Sequence, residues 1–475
     1  MSIVAAFAVP HPPVIVPAVG HGREREASAT IAAYEEVARR IAALTPDTIV
    51  ISSPHSVMYT DYLHVSPGAD ARGDLSQFDA AGERVDLPYD TEFVRELCRR
   101  AQDAGIAAGT EGERDASLDH ATMVPLHFIL ERYQDFSLVR MGLSGLGPMA
   151  HYRMGQQVAA TAEALGRRVV YVASGDLSHK ASEASSYGFA PEGPEFDEMI
   201  GHVFSTGDFL PLLTVDPGMA ERAAECGLRS FQIMAGALDR TPVSAELLSL
   251  EAPFGIGYGT AAFLPTGPAG SDDSRDFGEQ YLAWHEADME RRHAAEDGYV
   301  ALARATVEGF VRDGREPELA GADGLLARLD GTTRGELERT RAGAFVSIKE
   351  NGELRGCIGT IAPTCADLAE EIRDNAVSAC SRDPRFPPIT PDELGDLVIS
   401  VDVLGEAEPV SDLSRLDPAR YGVIVTDGGR RGLLLPDLDG VDTVEDQVRI
   451  AARKGGIDLG SNRWTLERFE VVRHT

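Results

Sequence analysis

Cysteine, long apolar runs and basic residues are all scarce in this chain of 475 residues. It has five cysteines, an odd number, and none of them forms a CxxC pair. A disulfide framework is therefore not expected, and a reducing, cytoplasmic location is favoured. No run of 18 apolar residues occurs, so we expect no membrane-spanning helix. The N-terminal stretch MSIVAAFAV has no basic n-region, is short and is followed at once by PHPP, which predicts a strand and not a signal peptide.

Basic residues are outnumbered by acidic ones, with 44 Lys and Arg against 76 Asp and Glu and a formal net charge of −32. A nucleic-acid partner requires a basic face that binds phosphates, so neither DNA nor RNA is expected as a partner. The hydrophobic fraction of 43% is typical of a globular protein. The length predicts two or three domains.

Short apolar runs alternate with longer amphipathic segments through residues 1–265. This order of strand and helix predicts an α/β domain with a mostly parallel sheet that helices cover. The predicted elements are strands at 2–9, 47–55, 135–145 and 168–176, helices at 23–44, 90–105 and 149–166, and two closing strands within 244–265.

The composition changes after this domain. Gly, Ser, Pro and Asp are concentrated where it ends, which predicts a linker over 266–284. The remainder, 285–475, begins with a charged helical stretch and then follows a different pattern. Its clearest feature is Asn351-Gly352 between alternating apolar residues, the strongest short signal for a β-hairpin. We therefore expect a separate α+β domain over 285–475.

Several of the twelve histidines lie where predicted strands end. His11 and His55 follow the first two strands, and His179 follows a later one, whereas His120 precedes a helix. Ligands of doubly wound sheets bind beyond the carboxyl ends of the strands, so these imidazoles are expected to point into one crevice. Glu251 lies in an apolar, strand-like segment, where a lone carboxylate is costly unless it is paired or bound to a metal.

Two histidines and one carboxylate with open coordination positions form the ligand set of non-haem Fe(II) oxygenases. The same donors also suit Zn²⁺. A further histidine is suited to proton transfer near pH 7. The alternative is that each histidine is a hydrogen-bonded structural residue, the commoner role at a strand end, and that Glu251 faces water. Spacing alone indicates an α/β domain and leaves both alternatives open.

The local sequences are more specific than the spacing. AVPHPP, SPHS, LDHATMVPL, SGDLSH and LSLEAPFGIGYG occur in the order found in class III extradiol dioxygenases. Residues 1–265 therefore resemble the LigB-type catalytic subunits of those enzymes, and also the Memo family, which shares their fold. The resemblance implies a metal-dependent oxidoreductase that acts on a catechol-type or related aromatic substrate with O₂. It is also compatible with a homo-oligomer.

The resemblance implies a role for each of the five residues. His11, His55 and Glu251 correspond to the iron ligands, His179 to the acid–base histidine, and His120 to a pocket histidine that hydrogen-bonds substrate or oxygen. Memo proteins have a cysteine where the enzymes have the carboxylate. Since Glu251 is present, we expect an Fe(II)-dependent extradiol ring-cleavage dioxygenase, with Zn²⁺ as the alternative metal.

The second domain resembles the AMMECR family in the stretches LRGCIGT, SRDPRFPPI and ISVDVL. AMMECR, Memo-like and radical SAM proteins occur as fusions and as gene neighbours, in systems of the AmmeMemoRadiSam type. The resemblance therefore implies a radical SAM partner. The alternative function is a Memo-like metal-binding partner of such an enzyme, without ring-cleavage activity.

Four residues of the second domain form another candidate site. Arg355 and Cys357 are two positions apart and share one face of a predicted strand, while Arg382 and Arg385 flank a proline-bounded loop. Together they are suited to hold an anionic ligand beside a reactive thiol. The alternative is that Cys357 is a small core residue and that the arginines pair with neighbouring aspartates.

Overall fold

The protein folds as two compact units, residues 1–285 and 286–475. The structure, a computed structural model, describes residues 2–438, 440–461 and 463–475. Each unit has its own apolar core, and the second unit begins close to the predicted domain start.

The segment predicted as a linker, residues 266–284, is part of the first unit. Phe277 and Tyr281 are buried in the core of that unit, although the residues before them have a linker-like composition. The prediction of a linker is corrected accordingly. Glycine, serine and proline mark the turn that precedes the helix, but they do not separate the helix from the domain.

The strands of the first unit are β1 (Ile3–Val9), β2 (Thr48–Ser52), β3 (Leu63–His64), β4 (Asp70–Leu75), β5 (Ala80–Pro88), β6 (Ala108–Gly109), β7 (Ser137–Met141), β8 (Val169–Ser174), β9 (Val243–Glu251) and β10 (Tyr258–Pro265). Its helices are α1 (Pro17–Gly20), α2 (Ser28–Leu44), α3 (Thr91–Asp103), α4 (His120–Leu130), α5 (Pro148–Leu165), α6 (Glu192–Thr206), α7 (Leu210–Thr214), α8 (Pro217–Ala223), α9 (Leu228–Ala237) and α10 (Phe277–Ala295), which contains the boundary between the units.

A six-stranded sheet in the order β7-β2-β8-β1-β10-β9 forms the centre of the first unit. The four strands from β7 to β1 are parallel, and β10 and β9 complete the sheet in antiparallel pairing. Every residue of β2 and β8 is buried, as expected of parallel strands that helices cover on both faces. The predicted α/β fold is confirmed.

The adjacent strands β2, β8 and β1 are parallel, so their carboxyl ends lie at the same edge of the sheet. Apolar side chains fill both faces of the strands, and the polar residues come directly after each strand ends. The sequence therefore places the loops that carry His11, His55 and His179 at one edge.

Helix α9 packs tightly against α5 through two glycines. A Cβ atom on Gly155 would lie 1.9 Å from the Ile233 carbonyl oxygen, and one on Gly236 would lie 1.8 Å from the Tyr152 carbonyl oxygen. Helix α9 also contacts the sheet, where its Ser230 hydroxyl bonds the Ser52 hydroxyl. This packing fixes the position of the loop that enters α9.

The second unit contains the helices α11 (Gly298–Asp313), α12 (Gly331–Arg339), α13 (Leu368–Ser381) and α14 (Val444–Lys454), and the strands β11 (Ala344–Glu350), β12 (Glu353–Gly359), β13 (Leu397–Leu404), β14 (Glu408–Val410), β15 (Gly422–Asp427), β16 (Arg430–Leu434), β17 (Thr465–Phe469) and β18 (Val471–His474). They form two four-stranded sheets, β12-β11-β13-β18 and β14-β17-β15-β16. The predicted hairpin is β11–β12, where Asn351 and Gly352 both have positive φ angles, 51° and 84°, as a type I′ turn requires.

Among the described residues, no helix combines the length and the apolar character that a membrane span needs.

The contact between α5 and α9 yields a stability prediction. Gly155→Ala would force the two helices apart, because the new methyl group would overlap the backbone of α9, and we expect a loss of about 1–3 kcal/mol in the free energy of unfolding. Urea unfolding followed by circular dichroism measures this loss. Gly82→Ala is the control, since an added Cβ there meets no atom within 4 Å; equal unfolding midpoints for the two variants would contradict the prediction.

Candidate metal centre

Three side chains from separate parts of the first unit converge at the carboxyl edge of the sheet. His11 follows β1, His55 follows β2, and Cys226 lies in the loop between α8 and α9. One possible ligand atom from each residue lies within 4.8 Å of the other two. The His11 and His55 rings meet edge to face with their centroids 4.9 Å apart. We refer to these three residues as the His-His-Cys cluster.

The orientation of His11 is set by its hydrogen bonds. The hydroxyl of Ser174 donates its one proton to the Ala121 carbonyl at 2.6 Å. The Ser174 oxygen therefore accepts a hydrogen bond from Nδ1 of His11, which lies 3.1 Å away. The proton of the neutral ring is therefore on Nδ1, and Nε2 carries the lone pair. Nε2 faces the Cys226 sulfur at 3.7 Å, so the lone pair points into the cluster.

His55 and His120 are positioned by one carboxylate, that of Asp119. Asp119 accepts a hydrogen bond from the Ser53 hydroxyl at 2.6 Å, and Ser53 in turn accepts from the backbone N–H of His55 at 3.2 Å. Asp119 also caps α4, whose first residue is His120. The His55 and His120 rings stack with centroids 4.3 Å apart, so His120 lies beside the cluster.

His179 lies near the cluster, because its ring is hydrogen-bonded to Ala224, two residues before Cys226. Its Nδ1 donates to the carbonyl oxygen of Ala224, which fixes the tautomer and leaves Nε2 as the acceptor of the ring. Its ring also meets the exposed ring of Tyr187 edge to face at 5.0 Å.

The environment of His11, His55 and His120 favours the neutral form of each imidazole. Burial lowers the pKa of His11 well below its usual value, and His55, His120 and His179 add to the effect by repulsion. Burial also lowers the pKa of His55, and it lowers the pKa of His120 to about 4, with help from His55. Neutral imidazole is the form that binds a metal ion.

The Cys226 thiol and the Asp176 carboxyl lie in the same buried region. Burial raises the pKa of Cys226 well above its usual value, and the charges of Asp176 and Glu225 act in the same direction. Burial raises the pKa of Asp176 to about 6, although the His11 backbone N–H donates to its carboxylate at 2.7 Å. A bound cation would instead lower the pKa of the Cys226 thiol, because a thiol that coordinates a metal ion is deprotonated.

The cluster fits a transition metal ion. A tetrahedral zinc ion with Zn–N and Zn–S bonds of about 2.0 and 2.3 Å would separate the two donor atoms by about 3.5 Å. The observed distance from His11 Nε2 to Cys226 Sγ is 3.7 Å. Two imidazole nitrogens and one thiolate form a donor set that zinc and iron both accept.

Glu251, which the sequence predicted as the third ligand, lies outside this cluster. It ends β9, the edge strand of the sheet, and its Oε1 accepts hydrogen bonds from the backbone N–H and the hydroxyl of Thr30, both at 2.7 Å. It lines a different cavity of about 380 Å³. The Glu251 carboxylate thus accepts its hydrogen bonds from α2, and Cys226 is the third member of the His-His-Cys cluster.

A cleft of about 1060 Å³ adjoins the cluster, and His55 and His120 form part of its wall. The hairpin β4–β5 supplies another part through residues such as Arg84. Most of the lining side chains are polar or charged, which suits a small polar molecule better than an apolar one.

The second unit brings together only part of its predicted site. Arg385 donates to the Cys357 carbonyl oxygen at 2.9 Å and pairs with Asp383. Arg355 forms a bidentate pair with Glu393, and Arg382 lies 3.7 Å from the Glu316 carboxylate. Only Arg385 pairs with an aspartate, as the alternative interpretation expected, whereas Arg355 and Arg382 lie beside glutamates that it did not name. Cys357 is half-buried and does not belong to the apolar core.

Sequence reasoning missed Cys226 and left Asp176 without a role. Asp176 lies within the motif SGDLSH, directly after a predicted strand. That position could have indicated that its carboxyl lies at the same edge of the sheet as the histidines. Cys226 lies between two short helices without a recognisable pattern. The available signal was the scarcity of cysteine itself, together with the cysteine ligand of Memo proteins.

Comparisons with known proteins identify the families of both units. The family model described as the catalytic LigB subunit of aromatic ring-opening dioxygenase matches residues 5–261, more than half of the chain. The chain therefore belongs to the LigB family. The AMMECR1 family model matches residues 300–474, so LigB and AMMECR1 domains occur in one chain.

Relatives and solved structures add no stated activity. A protein of Clostridium acetobutylicum is 35% identical over 481 residues, which cover 100% of this chain and 99% of that protein. A Thermotoga maritima protein is 51% identical over 181 residues, 37% of this chain and 98% of that protein. The crystal structure of an uncharacterized Pyrococcus horikoshii protein shares 27% identity and covers 37% of this chain and 88% of that chain, with a TM-score of 0.33.

The hydrogen bond from His11 to Ser174 yields a prediction about metal affinity. Ser174→Ala removes the acceptor that orients the ring, so we expect Zn²⁺ or Co²⁺ to bind about tenfold more weakly, as is usual when a partner of a metal-ligating histidine is lost. Competition with a chromophoric chelator measures the affinity. Ser205→Ala is the control, because that exposed hydroxyl bonds only within α6; identical affinities in the two variants would count against this role of Ser174.

Proposed function

We propose that the first unit is a Memo-like metal-binding module, which holds a Zn²⁺ or Fe²⁺ ion through His11, His55 and Cys226. The observation that supports this most strongly is the replacement of the expected carboxylate by the Cys226 thiol, 3.7 Å from His11 Nε2. Three protein ligands leave a coordination position for a small molecule, which is characteristic of catalytic sites and not of closed structural ones.

A bound ion would supply Lewis acidity at its open position, and iron would add redox chemistry. The surrounding residues would act on a molecule in the adjoining cleft. His179 holds its proton on Nδ1 through the Ala224 carbonyl, so its Nε2 can take a proton from the bound molecule. His120 is neutral near pH 7 and lines the cleft, where it can accept a hydrogen bond or donate one.

The second candidate function is Fe(II)-dependent ring cleavage of a catechol-type substrate with O₂. The LigB family and the positions of His120 and His179 favour it. The thiol disfavours it, because the ligand set of non-haem Fe(II) oxygenases contains two histidines and a carboxylate. We therefore place it second.

The AMMECR1 domain supports a role in a pathway of several proteins, with a radical SAM enzyme as the proposed partner. Co-purification of the tagged full chain with a radical SAM protein of the same organism tests this partner, and separate elution of the two proteins would exclude a stable complex.

Cobalt substitution distinguishes Cys226 from Glu251 as the third ligand. Co²⁺ bound to a thiolate gives a near-ultraviolet charge-transfer band, so we expect the full chain loaded with Co²⁺ to show this band and Cys226→Ser to lose it. Metal content by mass spectrometry should also fall in Cys226→Ser, since a hydroxyl is a poorer ligand than a thiolate.

Two variants serve as controls for this experiment. Glu251→Gln should keep both the band and the metal, because the Glu251 carboxylate is hydrogen-bonded to Thr30 and lies outside the cluster. Cys365→Ser should also keep them, since Cys365 lies in the second unit. Loss of the band in Glu251→Gln with retention in Cys226→Ser would refute the proposed ligand set.

Catechol turnover separates the two candidate functions. We expect anaerobically purified, Fe²⁺-loaded protein to give no ring-opened, yellow products from a panel of catechols in air. The control is His202→Ala, an exposed position on α6. If such products form, and if His55→Ala abolishes them while His202→Ala does not, the dioxygenase function is established instead.

A further inference from the structure

The hairpin β4–β5 forms one wall of the cleft that adjoins the His-His-Cys cluster. Its turn carries Phe78, whose ring meets the His120 ring edge to face with the centroids 5.5 Å apart. In β4, the Arg72 carbonyl oxygen accepts a hydrogen bond from the backbone N–H of Leu118 at 2.8 Å. The hairpin is therefore held against the first residue of α4 and against the loop that precedes this helix.

Four charged side chains share the face of the hairpin that lines the cleft. Arg72 is paired in register with Asp86, and Asp74 with Arg84, and residues directly opposite each other project from the same face. Arg72 forms an ion pair with Asp86 at 3.2 Å. Asp74 instead accepts a hydrogen bond from a backbone N–H of the turn at 2.9 Å. Nε of Arg84 donates to a backbone carbonyl of the same hairpin at 3.0 Å.

Arg114 supplies a further positive charge to the cleft from the loop between β6 and α4. Its guanidinium lies over the Tyr59 ring, 5.6 Å from the ring centroid, in a cation–π contact. Among the described residues, no carboxylate forms an ion pair with Arg84 or with Arg114. Arg140, which is buried in the wall, is by contrast paired with Glu113 at 3.1 Å. Two arginines of the cleft thus have guanidinium N–H groups available to a ligand.

The charge of the cleft differs from that of the chain as a whole. Its lining contains four arginines and four aspartates, whereas the chain has 44 basic and 76 acidic residues. A divalent cation held partly by His55 would add positive charge to the cleft. The volume of about 1060 Å³ lies at the upper end of the range for small-molecule sites, about 300–1,000 Å³. The cleft therefore suits an extended molecule that carries negative charge.

We propose that the cleft binds an extended small molecule, one end of which coordinates the metal ion while the other end is an oxyanion that Arg84 and Arg114 hold. This inference rests on the proposed function, because it names the class of molecule that the metal centre would bind. Carboxylate and phosphate groups share the chemistry that is required, since a guanidinium group presents two parallel N–H donors to two oxygens of either group.

Chemical modification of the arginines tests the oxyanion site without a metal ion. Phenylglyoxal reacts with arginine side chains, and mass spectrometry of peptides from the full chain gives the rate at each residue. We expect inorganic phosphate or acetate to slow the reaction of Arg84 and Arg114 several-fold relative to sodium chloride of equal ionic strength, because a bound oxyanion covers the guanidinium group. Arg132, an exposed arginine that does not line the cleft, is the control.

The two anions distinguish the source of the oxyanion. Stronger protection by phosphate indicates a phosphate ester as the ligand, and stronger protection by acetate indicates a carboxylic acid. If neither anion protects Arg84 and Arg114 more than Arg132 in the unaltered chain, the proposal is overturned.

A substitution tests whether one anion contacts both arginines. Arg84→Gln should remove most of the protection at Arg114, whereas Arg132→Gln should retain it. Protection at Arg114 that Arg84→Gln leaves unchanged would also overturn the proposal. Because the protection is first measured in the unaltered chain, poor folding of a variant does not decide the outcome.

Hydroxamates test the connection between the oxyanion site and the metal ion in the Co²⁺-loaded full chain. A hydroxamate that coordinates Co²⁺ changes its visible spectrum, so a titration gives the dissociation constant. The probes are the monohydroxamates of the linear dicarboxylic acids from succinic to suberic acid, each compared with the primary amide of the same length. We expect at least one acid to bind about tenfold more tightly than its amide, as charge-assisted hydrogen bonds to two arginines allow. Arg114→Gln should remove most of this difference, and Arg132→Gln should keep it.

The outcomes separate this inference from the proposed function. Bound cobalt with no preference for the acid at any length would overturn the inference and leave the metal centre intact. Protected arginines in a chain that binds no cobalt would refute the metal centre and support the oxyanion site.

Discussion

The approach of the His11 nitrogen to the Cys226 sulfur is the interaction on which the first unit's proposed chemistry depends. Two structural constraints produce it. Parallel strands bring their carboxyl ends to one edge, which places His11 and His55 side by side. The close packing of α9 on α5 then positions the loop that carries Cys226 above the same edge. Without either constraint, the imidazoles and the thiol would not lie close enough together to bind one metal ion.

The identity of the third ligand changes the chemistry that the fold can support. A carboxylate keeps Fe²⁺ suited to bind a catechol and O₂ together, whereas a thiolate is a softer donor that favours zinc or copper(I) and is itself oxidised easily. The chain nevertheless retains His120 and His179 beside the cluster. Under the proposed function, a molecule bound to the metal would therefore lie beside two further imidazoles that can exchange hydrogen bonds or protons with it.

Periodic and local signals in the sequence identified much of this structure. Alternating strands and helices predicted the α/β fold, and Asn351-Gly352 predicted the hairpin, because both features depend on short-range preferences. The ends of buried strands located His11 and His55, since strand order brings them together. These features need no knowledge of how distant loops pack.

The differences between the predictions and the structure have a common physical origin. They concern residues whose positions depend on tertiary packing, which leaves no local pattern in the sequence. Glu251 lies within a motif that suggested a ligand. Its carboxylate instead accepts hydrogen bonds from the backbone N–H and the hydroxyl of Thr30, a residue far from it in the sequence. Cys226 follows no periodic segment, and only the packing of α9 places it. The glycine- and proline-rich segment after residue 265 suggested a linker, yet Phe277 and Tyr281 are buried in the core just beyond it.

A crystal structure of the full chain, grown without oxygen and with added Zn²⁺, tests the central claim most directly through anomalous diffraction at the zinc edge. The account predicts one strong peak within about 2.0–2.4 Å of a ring nitrogen of His11 and of His55 and of the Cys226 sulfur. A peak bound by the carboxylate of Glu251, or an empty cluster beside an occupied site elsewhere, would contradict it.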